Sequence, residues 1–172
     1  MKIYDVVPRA GLDPELGLLI AALDDSTREW RSNLELPPVE AIVYQPWPDA
    51  YSIGALILHM IDCELHWFEG FVAKKRRKKA DSVLLLSDEV HQYGGRWPTP
   101  PAEPIEWYFD LQDRYRARSV AALVGEDPAR MIERKNCSVS VRWVLAHVVE
   151  HDSYHGGQAV LLHEMWKARR RA

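Results

Sequence analysis

The sequence predicts an all-α fold, a four-helix bundle with long crossover connections. Apolar residues recur at helical spacing in four separate stretches, no stretch shows the strict alternation of a half-buried strand, and clusters of proline divide the chain between the helical stretches. At 172 residues the chain is long enough to bury a real core and fits a single bundle domain spanning residues 1–172.

The elements follow in order. After a short extended lead-in ending at Pro8, Leu12, Leu16, Leu19, Ile20, Leu23, Trp30 and Leu34 fall on one helical stripe. Asp13 can cap this helix and Pro14 suits its first turn, which gives a helix over 13–34. Pro37, Pro38, Pro46 and Pro48 exclude a continuous helix from 36 to 49, so this is a crossing loop, with a brief extended piece expected at 41–44. Ser52 caps a second helix reaching Val72, with Leu56, Met60, Cys63, Trp67 and Phe71 inward. Six consecutive cations follow, Lys74 to Lys79, where positive charge complements the end of a helix; they are expected to be solvated. A short helix capped by Ser87 is expected before the Gly94–Pro104 connector.

The third long helix runs over 103–124. Its inner face (Ile105, Tyr108, Gln112, Tyr115, Ser119, Ala122, Leu123) mixes apolar and polar groups, as the wall of a polar cavity would, or as a helix on the rim of the core would. Gly125 can end it, 131–136 is a linker or short strand, and Ser138 or Ser140 caps the last helix.

Composition excludes several classes. The net charge is −3, and with the six-cation run set aside the remainder carries −9, which argues against nucleic acid as a partner. No apolar run approaches the roughly 18 residues of a membrane span, and the N-terminus lacks a signal-peptide core, so a cytoplasmic location is expected. The two cysteines, Cys63 and Cys137, form no metal-type pair and are expected to be reduced.

The chemistry lies in the histidines. Four of the seven, His147, His151, His155 and His163, fall within the last helix. At 100° per residue, His151 and His155 occupy the centre of its inward stripe. Burying two unpaired imidazoles there would cost on the order of 1–3 kcal/mol each, so the pair calls for a partner. Side chains four residues apart lie about 6 Å apart at Cβ, which suits two imidazoles meeting one ion with nitrogen–metal distances near 2.1 Å. His147 is about 12 Å along the axis from His155, too far to share that ion. A third ligand must come from another helix. His59, on the buried side of the second helix, fits best; His66 is one position worse, and His163 points elsewhere. Three imidazoles leave coordination positions open, the mark of a catalytic more than a structural site. Gln158, one turn beyond His155, can orient a ligand, while Glu150, Asp62 and His147 are flanking candidates. His147-Val-Val-Glu-His151 also fits the H-x-x-E-H protease signature, but that chemistry requires a further acidic ligand well downstream, and only 21 residues follow His151, with Glu164 the sole acid beyond Asp152.

Two segments, YSIGALILHMIDCELHWF and SVRWVLAHVVEHDSYHGGQAVLL, resemble the DinB-like (YfiT-related) superfamily of metal-binding four-helix bundles. The matching patterns are S-x-x-x-L-x-x-H-x-x-x-x-E, here Ser52 to Glu64, and H-x-x-E-H-x-x-x-H-x-G-Q, here His147 to Gln158. The resemblance implies a three-histidine site on His59, His151 and His155, holding a divalent ion, zinc or nickel. It implies a small-molecule substrate and a homodimer. It also implies a metal-dependent enzyme that transfers a low-molecular-weight thiol to an electrophile; the alternatives are a metal-dependent hydrolase and a non-enzymatic metal- or ligand-binding bundle. In one respect the chain departs from the pattern: where the superfamily often has Arg after the last histidine, it has Gly156.

Overall fold

The computed structural model describes residues 5–171. Its long helices are α1 (Pro14–Leu34), α3 (Ile53–Glu64), α5 (Ile105–Ala121) and α6 (Val141–Arg169). They are joined by two short helices, α2 (Val39–Ile42) and α4 (Lys79–Leu84), and by a two-stranded ribbon of β1 (Met131–Glu133) and β2 (Ser138–Ser140), antiparallel with Ile132 opposite Val139. The expected all-α bundle is present, with α6 packed on α1 along one flank and on α3 along another.

The helix starts follow local chemistry. The Asp13 carboxylate accepts from the Glu15 N–H and Pro14 takes the first position. Ser52 Oγ accepts from Ala55 N–H at 3.3 Å, and Ser140, not Ser138, caps α6 through Trp143 N–H at 3.2 Å. Gly125 takes φ +79 just after the last turn of the α5 segment.

Three expectations need correction. Residues 39–42 are a helical turn where an extended piece was expected over 41–44: Pro38 stands at its N-cap, and its fixed φ starts a turn as readily as it ends one. The short helix after the cationic run starts at Lys79 and not at Ser87, because Asp81 is drawn inward to Tyr115 (2.8 Å) and Arg118 (2.8 Å) on α5. The second long helix does not stay α-helical to its end. Residues Leu65–Val72 widen into a π-helix, with Ala73 N–H donating to the Phe68 carbonyl at 3.0 Å. Such segments are rare in helices and recur near functional sites.

The core has two apolar halves. One gathers Trp30, Leu34, Leu56, Ile57, Met60, Ile61, Tyr108 and Leu162; the other gathers Leu16, Ile20, Leu23, Phe68, Val72, Val144, Leu145 and Val148. Between them, at mid-height, lies a layer of buried polar groups: Thr27 from α1, Glu64 from α3, Gln112, Arg116 and Ser119 from α5, and Asp152 from α6. On the mixed face of the third long helix, Gln112 and Ser119 are packed inside and hydrogen-bonded and line no open cavity, while Tyr115 sits part-buried at the edge of the core and donates to Asp81. Arg116 reaches Glu64 (3.1 Å), Thr27 (2.6 Å) and Asp152 (3.3 Å). Asp152 also accepts from Trp30 Nε1 (3.1 Å) and Gln112 (3.3 Å), and Ser119 donates to Glu64 (2.5 Å). Burial pushes the Glu64 carboxyl above its ordinary pKa, against the pull of Arg116.

Candidate metal centre

His59 stands on α3 and His151 and His155 on α6, and the packing of those two helices brings the three rings together. The Nε2 atoms of His59 and His151 are 3.2 Å apart. The ring centroids of His59 lie 5.0 Å from His151 and 5.1 Å from His155, and those of His151 and His155 lie 4.4 Å apart. One nitrogen from each ring falls within 4.8 Å of the others. A tetrahedral ion with bonds near 2.1 Å needs ligand nitrogens about 3.4 Å apart. The His59–His151 pair is near that spacing, the third nitrogen lies within 4.8 Å of both, and the three come from two packed helices, so the donor set could hold a divalent ion.

The electrostatics suit ligation as well. Burial, then the neighbouring imidazoles of His155, His59 and His147, push the His151 pKa down to about 3. Burial also lowers that of His155, against the opposing pull of Gln158 and Asp152. Both rings are neutral at pH 7 with lone pairs available, the form in which imidazole ligates. Gln158 Oε1 lies 2.7 Å from His155 Nδ1. An amide oxygen can only accept, so His155 carries its proton on Nδ1 and presents a bare Nε2.

The trio opens on a cavity of about 580 Å³. Tyr51, Tyr93, Trp97 and Tyr154 line it together with Cys63, Trp67 and His147. Trp97 packs edge-on against His59 at 5.2 Å, and His147 stacks flat on Trp143 at 5.2 Å. His147 is thus a wall residue, its ring 6.4 Å from that of His151. His163 is structural: buried, it meets the Leu34 carbonyl at the end of α1 through Nδ1 at 2.9 Å. Glu150 is exposed on α6 and Asp62 pairs with Arg77, so neither points a bare carboxylate at the trio. Seven Trp and seven Tyr in the sequence imply either a heavily aromatic core or a pocket lined with rings; which rings line it was not legible, because Tyr51, Tyr93 and Trp97 come from segments between the long helices whose folding back no helical periodicity encodes.

Gly156 explains the departure from the superfamily pattern. A Cβ at this position would overlap the Trp30 ring, which packs directly on the α6 backbone. The side chain after the last histidine is displaced by an indole from α1.

A bundle that presents three inward histidines from two of its helices to one cavity defines a class, the DinB/YfiT-like metal-binding superfamily. Within it the chain belongs to the family described as Mycothiol-S-transferase, whose sequence profile matches residues 18–168. No curated protein matches the chain. No helix is long and apolar enough to cross a membrane among the described residues.

Proposed function

We propose that this chain, acting as one bundle domain, is a metal-dependent S-transferase that passes mycothiol or a related low-molecular-weight thiol to a small electrophile, with a divalent ion held by His59, His151 and His155. The convergence of three imidazoles on an open cavity carries this reading, and membership of the mycothiol-S-transferase family supplies the reaction class. An ion bound there supplies Lewis acidity, which lowers the pKa of a thiol so that it is a nucleophile at neutral pH. The protein's own residues do the rest. His151 and His155 offer neutral rings without a deprotonation cost. Gln158 holds His155 in the ligating tautomer. The rings of Trp67 and Trp97 flank the reaction zone and restrict water around the reacting sulfur.

Cys63 lies in the wall of the same cavity, but burial and the Glu64 carboxylate push its thiol up to about 12. It stays protonated and competes neither as nucleophile nor as ligand, which favours an external thiol as the reacting group. Imidazole ligands suit zinc and nickel, and we take the ion to be one of these. The superfamily resemblance supports a homodimer; no helix among the described residues could span a membrane, and we take the location to be the cytoplasm.

The test uses protein purified without a histidine tag. Elemental analysis is expected to find one ion per chain, lost in His59→Ala, His151→Ala and His155→Ala, and turnover of mycothiol with a chromogenic electrophile is expected to stop on chelation. Full metal content in all three variants would refute the ligand assignment. Metal binding with no turnover across panels of transferase and hydrolase substrates would instead favour a non-enzymatic metal-binding bundle.

A further inference from the structure

The cationic run Lys74–Lys79 is only partly a solvated tail. The Lys75 N–H donates to the Glu69 carbonyl at 2.7 Å, which folds the chain back across the end of the π-helical segment. Arg77 is half-buried and pairs with Asp62, and the Ser87 hydroxyl donates to the same carboxylate at 2.5 Å. This fold-back encloses a second cavity of about 210 Å³, walled by Asp62, His66, Glu69, Lys75, Ser82 and Ser87 among others. Asp62 and His66 line the metal cavity too, so the two spaces meet at these residues. His66 follows His59 by seven residues, about 10 Å along the helix axis.

The lining decides what this annexe can hold. Its two carboxylates are engaged, Asp62 by Arg77 and Glu69 by Arg118 at 2.7 and 3.1 Å. Lys75 and Arg77 balance them, and His66 is held below its ordinary pKa by partial burial of its ring and then by Arg134, so the annexe is close to neutral. Among the described residues the Lys75 ammonium has no ion pair and the Ser82 hydroxyl no hydrogen bond, which leaves both available to a ligand. An anion would find the Lys75 ammonium but would also lie against the carboxylates of Asp62 and Glu69, in a lining whose formal charges cancel, and a hydrocarbon would strand the polar wall without partners. An uncharged group with several hydroxyls, each both donor and acceptor, meets the mixture of ammonium, hydroxyl and carboxylate.

We propose that the annexe binds the hydroxyl-rich, uncharged arm of the thiol substrate and so places its sulfur at the histidine trio. This rests on the S-transferase reading and adds to it a site for the half of the substrate that does not react. It also gives the cationic run a role: Lys75 contacts the ligand, while Arg77 holds the wall.

Binding and turnover separate the two claims. S-methylated mycothiol keeps the sugar-like arm but has no free thiol, so its binding to chelated, metal-free protein can be measured by calorimetry without any reaction. Lys75→Ala and Ser82→Ala are each expected to weaken that binding about fivefold to tenfold, the effect of losing one hydrogen bond. In metal-loaded enzyme the same variants are expected to lower the kcat/KM preference for mycothiol over N-acetylcysteine, which has the thiol but no hydroxyl-rich arm, by a similar factor. Arg76→Ala, in the same run but outside the annexe, is expected to leave S-methyl mycothiol binding unchanged. Four results would each overturn the proposal: no binding to the unsubstituted protein, equal affinity in both annexe variants, a loss in Arg76→Ala as large as in Lys75→Ala, or displacement of the analogue by inorganic phosphate. Binding that responds to the variants in a protein that turns over no thiol would leave the annexe standing and sink the transferase reading alone.

Discussion

Two adjacent glycines on α6 should respond to alanine with opposite signs. At Gly156 a Cβ would overlap Cβ, Cγ and Cδ1 of Trp30, a side chain only 4% exposed whose Nε1 donates to Asp152 at 3.1 Å. Overpacking of this kind costs about 1–3 kcal/mol, and displacing the indole weakens a hydrogen bond to a charged acceptor worth about 1.5–3 kcal/mol. Alanine returns about 1 kcal/mol of helix propensity. A net loss of about 1.5–5 kcal/mol follows, which in a domain of this size lowers Tm by about 3–20 °C. At Gly157 a Cβ meets nothing within 4 Å, so only the propensity gain remains and Tm should rise by about 2–4 °C. Thermal unfolding followed by circular dichroism, in chelator so that metal binding does not shift the curve, measures both. If Gly156→Ala proves as stable as Gly157→Ala, then Trp30 does not pack on the α6 backbone as described, and the account of why this chain has glycine after its last histidine fails.

Three further outcomes are expected. Gln158→Ala should weaken metal affinity about 10- to 100-fold, measured by competition with a chromophoric chelator, because His155 loses the acceptor that fixes its tautomer; Gln158→Glu should retain the affinity. The metal-free protein should lose stability on acidification. The folded pKa of His151 is depressed to about 3, so its contribution is present above the unfolded pKa of about 6.5 and declines toward pH 3, at up to about 1.4 kcal/mol per pH unit, and His151→Phe should flatten that part of the urea-midpoint profile. Arg116→Met should destabilise by about 3–5 kcal/mol in urea unfolding, since Glu64 and Asp152 would remain buried without their cation.

The histidine trio was legible in the sequence because its spacing and its place on the apolar stripe are local properties. His151 and His155 are four residues apart on the inner face, and His59 is on the inner face of its own helix, so a helical wheel selects all three. The start of α1 was legible for the same reason, through Asp13 and Pro14, and the start of α6 to within two residues, through Ser138 or Ser140. The polar layer was not. Asp152 sits about 100° round α6 from His151, which a single-stripe reading takes for the solvent side. In the structure α6 is covered by α1 as well as by α3, so two of its faces are buried and Asp152 is only 2% exposed. Arg116 escaped notice because charged residues are rarely found inside; its signal was visible only in Gln112 and Ser119, one turn to either side. The start of α4 ran against a sound local rule. Cations at a helix N-terminus oppose the dipole, and the helix forms there because Asp81 is anchored on α5.

The layer and the trio are two consequences of how α6 is held. Consecutive residues on a helix point about 100° apart, so when Asp152 is locked toward α1 and α5, His151 is turned toward α3. The lock is specific: Asp152 accepts from Trp30, Gln112 and Arg116, and Arg116 in turn binds Glu64 on α3, the helix that carries His59. An apolar core alone would let α6 rotate or slide by fractions of a turn at small cost, since leucine and valine side chains repack. A shift of that size would separate the Nε2 atoms of His59 and His151, now 3.2 Å apart, and spoil the spacing an ion requires. Replacing the buried charges with apolar side chains of equal volume can leave stability unchanged or raise it. The network is therefore better understood as fixing the register of the two helices that carry the histidine trio than as a source of stability, and the variant that separates these roles is a hydrophobic replacement of Glu64, Arg116 and Asp152 together: the expected outcome is a fold that stays stable but binds metal poorly.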